Sequence, residues 1–148
     1  MKPIYVPAVE ETDQKKQNRS LQAIAGQLSA EWTTFTPTAL AQTGTITTLG
    51  TLTGRYFQIG KIVHAWMDVP IVAAGAATGY LRISLPVTAK SNFYAGISFE
   101  YNTVGKSGAA VIIPSVSSDA VLARVADGTS FIVSGYSIAT SITYETAS

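Results

Sequence analysis

Alternation of apolar and polar residues is the feature that most constrains how this chain folds. The clearest example lies between residues 54 and 72, where one parity is apolar. Its members are Val63, Ala65, Met67 and Val69. Side chains at every second position of a β-strand point to the same face, whereas the faces of a helix repeat about every 3.6 residues. This run therefore predicts a strand. Ile62 and Trp66 on the opposite parity are also apolar, which predicts burial on two faces, as when a sheet packs internally and also meets a neighbouring subunit.

Shorter alternating runs follow, separated by turn residues. In residues 92–101 the apolar row consists of Phe93, Ala95, Ile97, Phe99 and Tyr101. The dipeptide Asp127-Gly128 is typical of a hairpin, and it predicts a turn into a last strand within residues 129–144. Many short strands with period-two patterning predict a mainly β fold, an antiparallel β-sandwich or jelly-roll-like barrel.

The first 31 residues differ in composition from the rest. The chain has ten basic and nine acidic residues, and eight of these nineteen lie in residues 1–31. Such a step in charge density predicts a boundary near Trp32. We expect an extended N-terminal segment over residues 1–12, one short α-helix over 13–30 and a β-sandwich domain over 31–148.

The extended segment is predicted from its prolines. Pro3 and Pro7 lack amide donors and push the residues before them towards extended conformations. The apolar side chains of this segment are free to bury against a groove or a sheet edge of another protein. We expect them to anchor the chain to a partner protein. These residues are Ile4, Tyr5, Val6 and Val9.

The predicted helix has a short apolar stripe. Leu21, Ile24 and Leu28 are spaced as one face of a helix, but the same stripe meets Gln17 and Gln14 upstream. Fewer than two heptads are too short for a stable free-standing coiled coil. The helix interface formed by these three apolar residues therefore needs a partner, which is its own β-domain, sister copies or another protein.

Motifs for catalysis and for cofactors are weak. The chain has a single histidine, His64, and no cysteine, and no cluster has the spacing of metal ligands. Lys106 and Ser107 resemble the end of a phosphate loop, but Glu100 stands where the first glycine of that motif belongs. We expect no enzymatic activity, no cofactor and no metal site. A net charge of +1 argues against nucleic-acid binding, and no apolar run approaches the ~18 residues that membrane insertion requires.

One stretch of the β-region resembles a recurring domain of tailed-bacteriophage fibre and decoration proteins. The resemblance begins with a Trp-x-x-Phe-Thr-Pro entry and continues through a Gly-Arg-Tyr-x-x-Ile-Gly-Lys-x-Val hairpin. The matching residues are Trp32, Phe35, Thr36, Pro37, Gly54, Arg55, Tyr56, Ile59, Gly60, Lys61 and Val63. The strand end at Leu85 and Pro86 and the C-terminal run from Ser130 are also similar, although this run is longer past Ser134-Gly135.

The resemblance implies a location and partners. It implies a β-sandwich that assembles as a homotrimer on the virion, held by other virion proteins (capsid, portal or tail) through the N-terminal segment. In such a virion protein the outer domain either adsorbs to a host surface glycan or protects the shell of the particle, and both alternatives stay open. Because the family shares no single ligand, the resemblance assigns no binding residues.

Two alternatives belong to other classes. A carbohydrate-binding module of a host or phage adhesin needs an exposed aromatic platform, for which Trp66, Tyr80, Tyr94 and Tyr101 are candidates. A host β-domain with a disordered tail is the other alternative, and it predicts a monomer in solution. Glycan binding and mass in solution separate the three.

Overall fold

The protein divides into two compact units, Met1–Glu31 and Trp32–Ser148. The computed structural model describes residues 9–28, 31–90, 93–103, 105–113 and 117–147, with the backbone alone for residues 9–12, 27–28 and 117–119. The division falls where the charge density of the sequence changes.

The first unit contains a helix, α1 (Val9–Leu28), of 20 residues. It begins four residues before the predicted start at Asp13, so Val9 is helical and not part of an extended segment. The sequence allows the earlier start, because no proline lies between Val9 and Asp13. Every side chain from Asp13 to Gly26 is exposed. Ile4, Tyr5 and Val6 lie outside the described residues, so the extended anchor stays a prediction.

In the second unit, the described residues form an antiparallel sheet of ten strands. The strands are β1 (Thr33–Phe35), β2 (Ala39–Thr43), β3 (Thr48–Leu49), β4 (Thr53–Ile59), β5 (Ile62–Ala73), β6 (Thr78–Ser84), β7 (Tyr94–Glu100), β8 (Ser107–Ile113), β9 (Ser117–Val125) and β10 (Ser137–Glu145). Nine form the order β1-β4-β5-β10-β7-β8-β9-β6-β2, and β3 pairs with β5. The predicted mainly β, antiparallel fold class is confirmed.

A single hydrophobic core joins distant parts of this sheet. Its fully buried members include Val63, Ala65, Met67 and Val69 of β5, Leu81 and Ile83 of β6, Val121 and Ala123 of β9, and Ile138 and Ile142 of β10. Four strands separate β5 from β6 in the sheet order. The sheet curls so that residues from both halves bury their apolar faces in the same core, as a sandwich-like arrangement requires.

The chain after β6 meets the end of β10. Tyr144 of β10 donates its hydroxyl to the carbonyl oxygen of Val87 at 2.8 Å. Burial raises the pKa of Tyr144 well above its ordinary value, so this hydroxyl remains a donor. The backbone amide of Lys90 donates to the carbonyl of Glu145 at 2.8 Å, and the two side chains form an ion pair at 2.8 Å. These contacts hold the curled sheet together at one end.

The prediction of a hairpin at Asp127-Gly128 is wrong. A turn does form there, because the amide of Gly128 donates to the carbonyl of Val125 at 3.1 Å. However, β10 pairs with β5 and β7, and not with β9. Residues 129–136 leave the sheet, and Phe131 is fully buried in the core. Burial of this large ring favours a crossing segment over a continued strand, so the last strand begins at Ser137.

The resemblance motif builds one edge of the sheet. Phe35 of β1 faces Gly54 of β4 in the strand register, and a Cβ atom on Gly54 would lie 2.5 Å from Cε1 of that ring. The Phe35 ring also makes an edge contact with Tyr56 at 5.9 Å between centroids. Glycine is required at position 54 because the aromatic ring occupies the space of a side chain.

We predict that Gly54→Ala lowers the free energy of unfolding by about 1–3 kcal/mol, because the new methyl group overpacks against the Phe35 ring. Urea denaturation measures the change. In a double-mutant cycle, Phe35→Ala should cancel part of the cost of Gly54→Ala, since the two residues share one space. Gly26→Ala in α1, where no atom lies within 4 Å of the new methyl group, is the control and should cause no loss. Additive effects at positions 35 and 54 would contradict this explanation.

Candidate interaction surface

The apolar row of strand β7 faces solvent. We call this row, Phe93, Ala95, Ile97, Phe99 and Tyr101, the β7 ridge. The large members are exposed to 78% (Phe93), 67% (Ile97), 44% (Phe99) and 52% (Tyr101). The opposite row places Ser98 and Glu100 in the interior, where both are buried. This is the reverse of the usual burial, since the apolar row of a half-buried strand normally faces the core.

The inward Ser98 has a buried hydrogen-bond partner. Its hydroxyl lies 2.9 Å from the hydroxyl of Thr140 on the neighbouring strand β10. A buried hydroxyl costs free energy unless it is hydrogen-bonded, and each of these two groups satisfies the other. This hydrogen bond therefore offsets the free-energy cost of burying the two hydroxyl groups, so that the polar row can face the core.

Glu100 organises the turn between β7 and β8. Its Oε1 accepts hydrogen bonds from the backbone amides of Asn102 at 2.7 Å and Thr103 at 2.9 Å. Its Oε2 accepts one from the amide of Gly105 at 3.0 Å. Three amide donors compensate the desolvation of the buried carboxylate. Glu100 thus fixes both the turn and the direction in which the adjacent residues of β7 point.

Tyr101 continues the ridge at the end of β7. Its hydroxyl donates to both carboxylate oxygens of Asp68 on β5, at 2.9 and 3.0 Å. Burial and the neighbouring Asp68 carboxylate raise the pKa of Tyr101 above its ordinary value. This contact holds the exposed ring against the sheet, so the end of the ridge has a defined position.

An apolar groove lies beside the ridge. In the register, Ile97 of β7 pairs with Ala109 of β8, which pairs with Arg124 of β9. The groove, which we call the β8–β9 groove, has a volume of about 350 Å³ and is lined by Tyr80, Ala109, Val111, Ile113, Leu122 and Arg124. Leu122 is the buried residue among them and forms the floor. Ridge and groove are therefore adjacent on one outer face.

A cluster of aromatic rings and one arginine lies on the outer face of β4 and β5. The guanidinium of Arg55 lies 4.7 Å from the ring centroid of Trp32 and 5.3 Å from that of Trp66. Phe57 makes an edge contact with Trp32 at 5.0 Å. Cation–π attraction stabilises this arrangement of exposed and half-exposed rings.

His64 belongs to the same cluster. Its Nδ1 lies 2.8 Å from the hydroxyl of Thr143 on β10, and its ring is half-buried beside Phe57. Among the described residues, no group of three or more His, Cys, Asp or Glu is placed to hold a metal ion. In the same part of the chain, no helix has the length and apolar character needed to cross a bilayer.

The predicted helix interface is only partly described. Leu21 and Ile24 are 63% and 53% exposed and lie about one turn apart on α1. Leu28 ends the helix, and its side chain lies outside the described residues. Of the predicted anchor residues, Val9 begins α1. The β7 ridge was not predicted as a site, and the signal for it is the pair of polar residues, Ser98 and Glu100, on the opposite parity.

Comparison of the chain with protein-family models, with curated proteins and with solved structures gives no match in any of the three. The function of these surfaces therefore has to be inferred from their geometry and from the sequence resemblance.

We predict that Glu100→Gln lowers the free energy of unfolding by about 1–3 kcal/mol. The amide group has one acceptor oxygen only, so its NH₂ would meet a backbone N–H of the turn donor to donor. Amide hydrogen exchange at Asn102, Thr103 and Gly105 should become faster. Glu145→Gln, which removes the charge from a half-exposed ion pair, is the control and should cost at most about 1 kcal/mol. Equal losses for the two variants would contradict the role of Glu100.

Proposed function

We propose that this chain is a non-enzymatic structural protein of a bacteriophage virion, a short fibre or a head or tail decoration protein. It attaches through its N-terminal segment and projects the β-domain as a homotrimer. The observation that carries the proposal is the β7 ridge, because exposed apolar rows of this size mark surfaces that associate with other proteins. The resemblance to phage fibre and decoration proteins supplies the particular class.

The helix supports the same proposal. Leu21 and Ile24 of α1 are 63% and 53% exposed. A helix with so short an apolar stripe gains its stability from packing against a partner. Copies of α1 packed around a common axis bury this stripe, and the β-domains add further contacts. Three copies then hold three N-terminal segments together, which raises the avidity of weak individual anchors.

The residues of the resemblance also have structural roles that suit a projecting domain. Phe35 and Gly54 pack β1 onto β4, and Arg55 lies between two indole rings. Pro37 is buried, and Gly60 occupies the tight turn between β4 and β5 with a positive φ of 58°. The motif residues therefore build the structural frame of the β-domain, meaning its packing contacts and turns. A family whose members bind different ligands would share such residues.

We predict that replacing Ile4, Tyr5 and Val6 together by serine reduces incorporation of the protein into virions by about tenfold or more, because the anchor loses its apolar contacts. Incorporation is measured by quantitative mass spectrometry of purified particles from the phage that carries the altered gene. Lys2→Ser, which keeps these three residues, is the control. Undiminished incorporation of the triple variant would refute the anchor, and absence of the unaltered protein from particles would refute the virion role.

A carbohydrate-binding function is the second candidate, favoured by the cluster of Trp32, Trp66 and Arg55. Indole rings offer apolar faces to sugar rings, and an adjacent guanidinium donates hydrogen bonds to hydroxyl or carboxylate groups. On a virion this cluster serves host adsorption, and in an adhesin it serves as the binding module itself. Decoration alone needs no such ligand.

We predict for this second candidate that the purified protein binds a subset of surface glycans on an array and blocks infection of host cells. Trp32→Ala should weaken that binding by about tenfold or more, because a stacking ring is lost. Leu40→Ala removes an exposed apolar side chain outside both the cluster and the β7 ridge and is the control. If no glycan binds and particles without the protein are less stable, decoration is the role.

A further inference from the structure

We propose that the β7 ridge of one copy packs into the β8–β9 groove of a second copy of this chain. The inference deepens the proposed function, on which it rests for the association of copies, and it names the surfaces that meet. Ridge and groove lie on one face within two strands of each other, since Ile97, Ala109 and Arg124 are successive partners in the register. At the usual strand spacing, their centres are roughly 10 Å apart.

The amount of apolar surface supports a stable contact. With about 150–250 Å² for an aromatic residue, the exposed fractions of Phe93, Phe99 and Tyr101 leave roughly 350 Å² of these residues in water. Ile97 adds to this area, and the walls of the groove extend it across β8 and β9. A stable interface buries roughly 800 Å² on each partner, so the ridge supplies about half of that and the groove lies beside it to supply more.

The chemistry of the two features is complementary. The ridge has no charged member, and the groove has an apolar floor at Leu122 with Arg124 at its rim. When a ridge enters the groove of another copy, the guanidinium of Arg124 meets aromatic rings, which attract a cation, while its aliphatic stem covers apolar surface. A chain that carries both halves of such a contact associates with itself.

The contact allows closed symmetric assemblies. A two-fold axis that runs along β8 places each ridge in the groove of the other copy, so the contact is made twice. In a three-fold ring each copy offers its ridge to one neighbour and its groove to the other. In both assemblies the β7 ridge of another copy occupies the groove. The mass of the protein in solution shows whether the dimer or the three-fold ring is present.

We predict that the full-length protein is oligomeric in sedimentation equilibrium and that two substitutions each weaken the association about 30-fold or more, the loss expected for a well-packed anchor. Ile97→Asp places a charge on the ridge, and Ala109→Lys fills the groove with a charged side chain. Leu40→Asp is the matched control: Leu40 is 59% exposed against 67% for Ile97, but it lies on the edge strand β2. Circular dichroism and urea denaturation verify that all variants fold.

Mixing the two variants makes the test specific to the ridge and the groove. The Ile97→Asp copy keeps its groove and the Ala109→Lys copy keeps its ridge, so a mixture restores one contact and opposes Asp to Lys in the other. We expect the mixture, with one variant fluorescently labelled, to associate at least about tenfold more tightly than either variant alone. A mixture that associates no more tightly than its components would overturn the proposal.

Failure of this interface can be told apart from failure of the proposed function. If Leu21→Ser with Ile24→Ser lowers the mass while Ile97→Asp leaves it unchanged, the helices hold the copies together and the ridge-to-groove contact is refuted. Gln22→Ser, off the apolar stripe of α1, is the control for that pair. A monomeric unaltered protein also refutes the contact. Incorporation into virions, measured separately, decides the virion role in each case.

Discussion

The outer surface of the β-domain depends on the buried carboxylate of Glu100. Three backbone amides of the β7–β8 turn donate to it, so its removal from the interior would leave both the carboxylate and the turn without their hydrogen bonds. Because side chains alternate along a strand, an inward Glu100 requires Phe99 and Tyr101 to point outward. The pairing of Ser98 with Thr140 favours the same orientation. The hydrogen bonds of the buried polar side chains thus determine which apolar side chains the domain exposes to solvent.

The curled sheet forms its core without any disulfide bond, since the chain has no cysteine. Alternate residues of β5 and β10, on one side of β7 in the sheet order, and of β9 and β6, on its other side, meet in one cluster. Two irregular segments complete the burial: residues 86–90 contact the end of β10, and residues 129–136 insert Phe131. A large apolar core of this kind leaves the domain stable enough to tolerate an exposed apolar row.

The resemblance and the ridge concern different parts of the domain. The resemblance extends over about residues 31–145, but its motif residues lie at β1, in the β4–β5 hairpin, after β6 and in the C-terminal run, and none of them belongs to the β7 ridge or the β8–β9 groove. The frame explains a likeness to a family whose members do not share a ligand, and the ridge with its groove is a property of this chain. The apolar stripe of α1 is a second unpartnered surface. Both features are exposed apolar surfaces, and the proposals differ only in which surface meets which partner.

The sequence by itself determined the local features: a boundary near Trp32, the strands with their period of two, and the residues that share a face. These follow from alternation and composition, which act over short distances. Only the tertiary structure decided which face of β7 is buried, because that depends on the hydrogen bonds that Glu100 accepts from the backbone amides of a turn and on the one that Ser98 shares with Thr140, about forty positions away. It also decided that β10 pairs with β5 and β7 and not with β9 through a hairpin at Asp127-Gly128. The burial of Phe131 depends on residues far away in the sequence, so the Asp-Gly dipeptide alone does not predict it. The start of α1 at Val9 is a smaller case: the helix begins before the predicted cap at Asp13, and no proline after Pro7 prevents it.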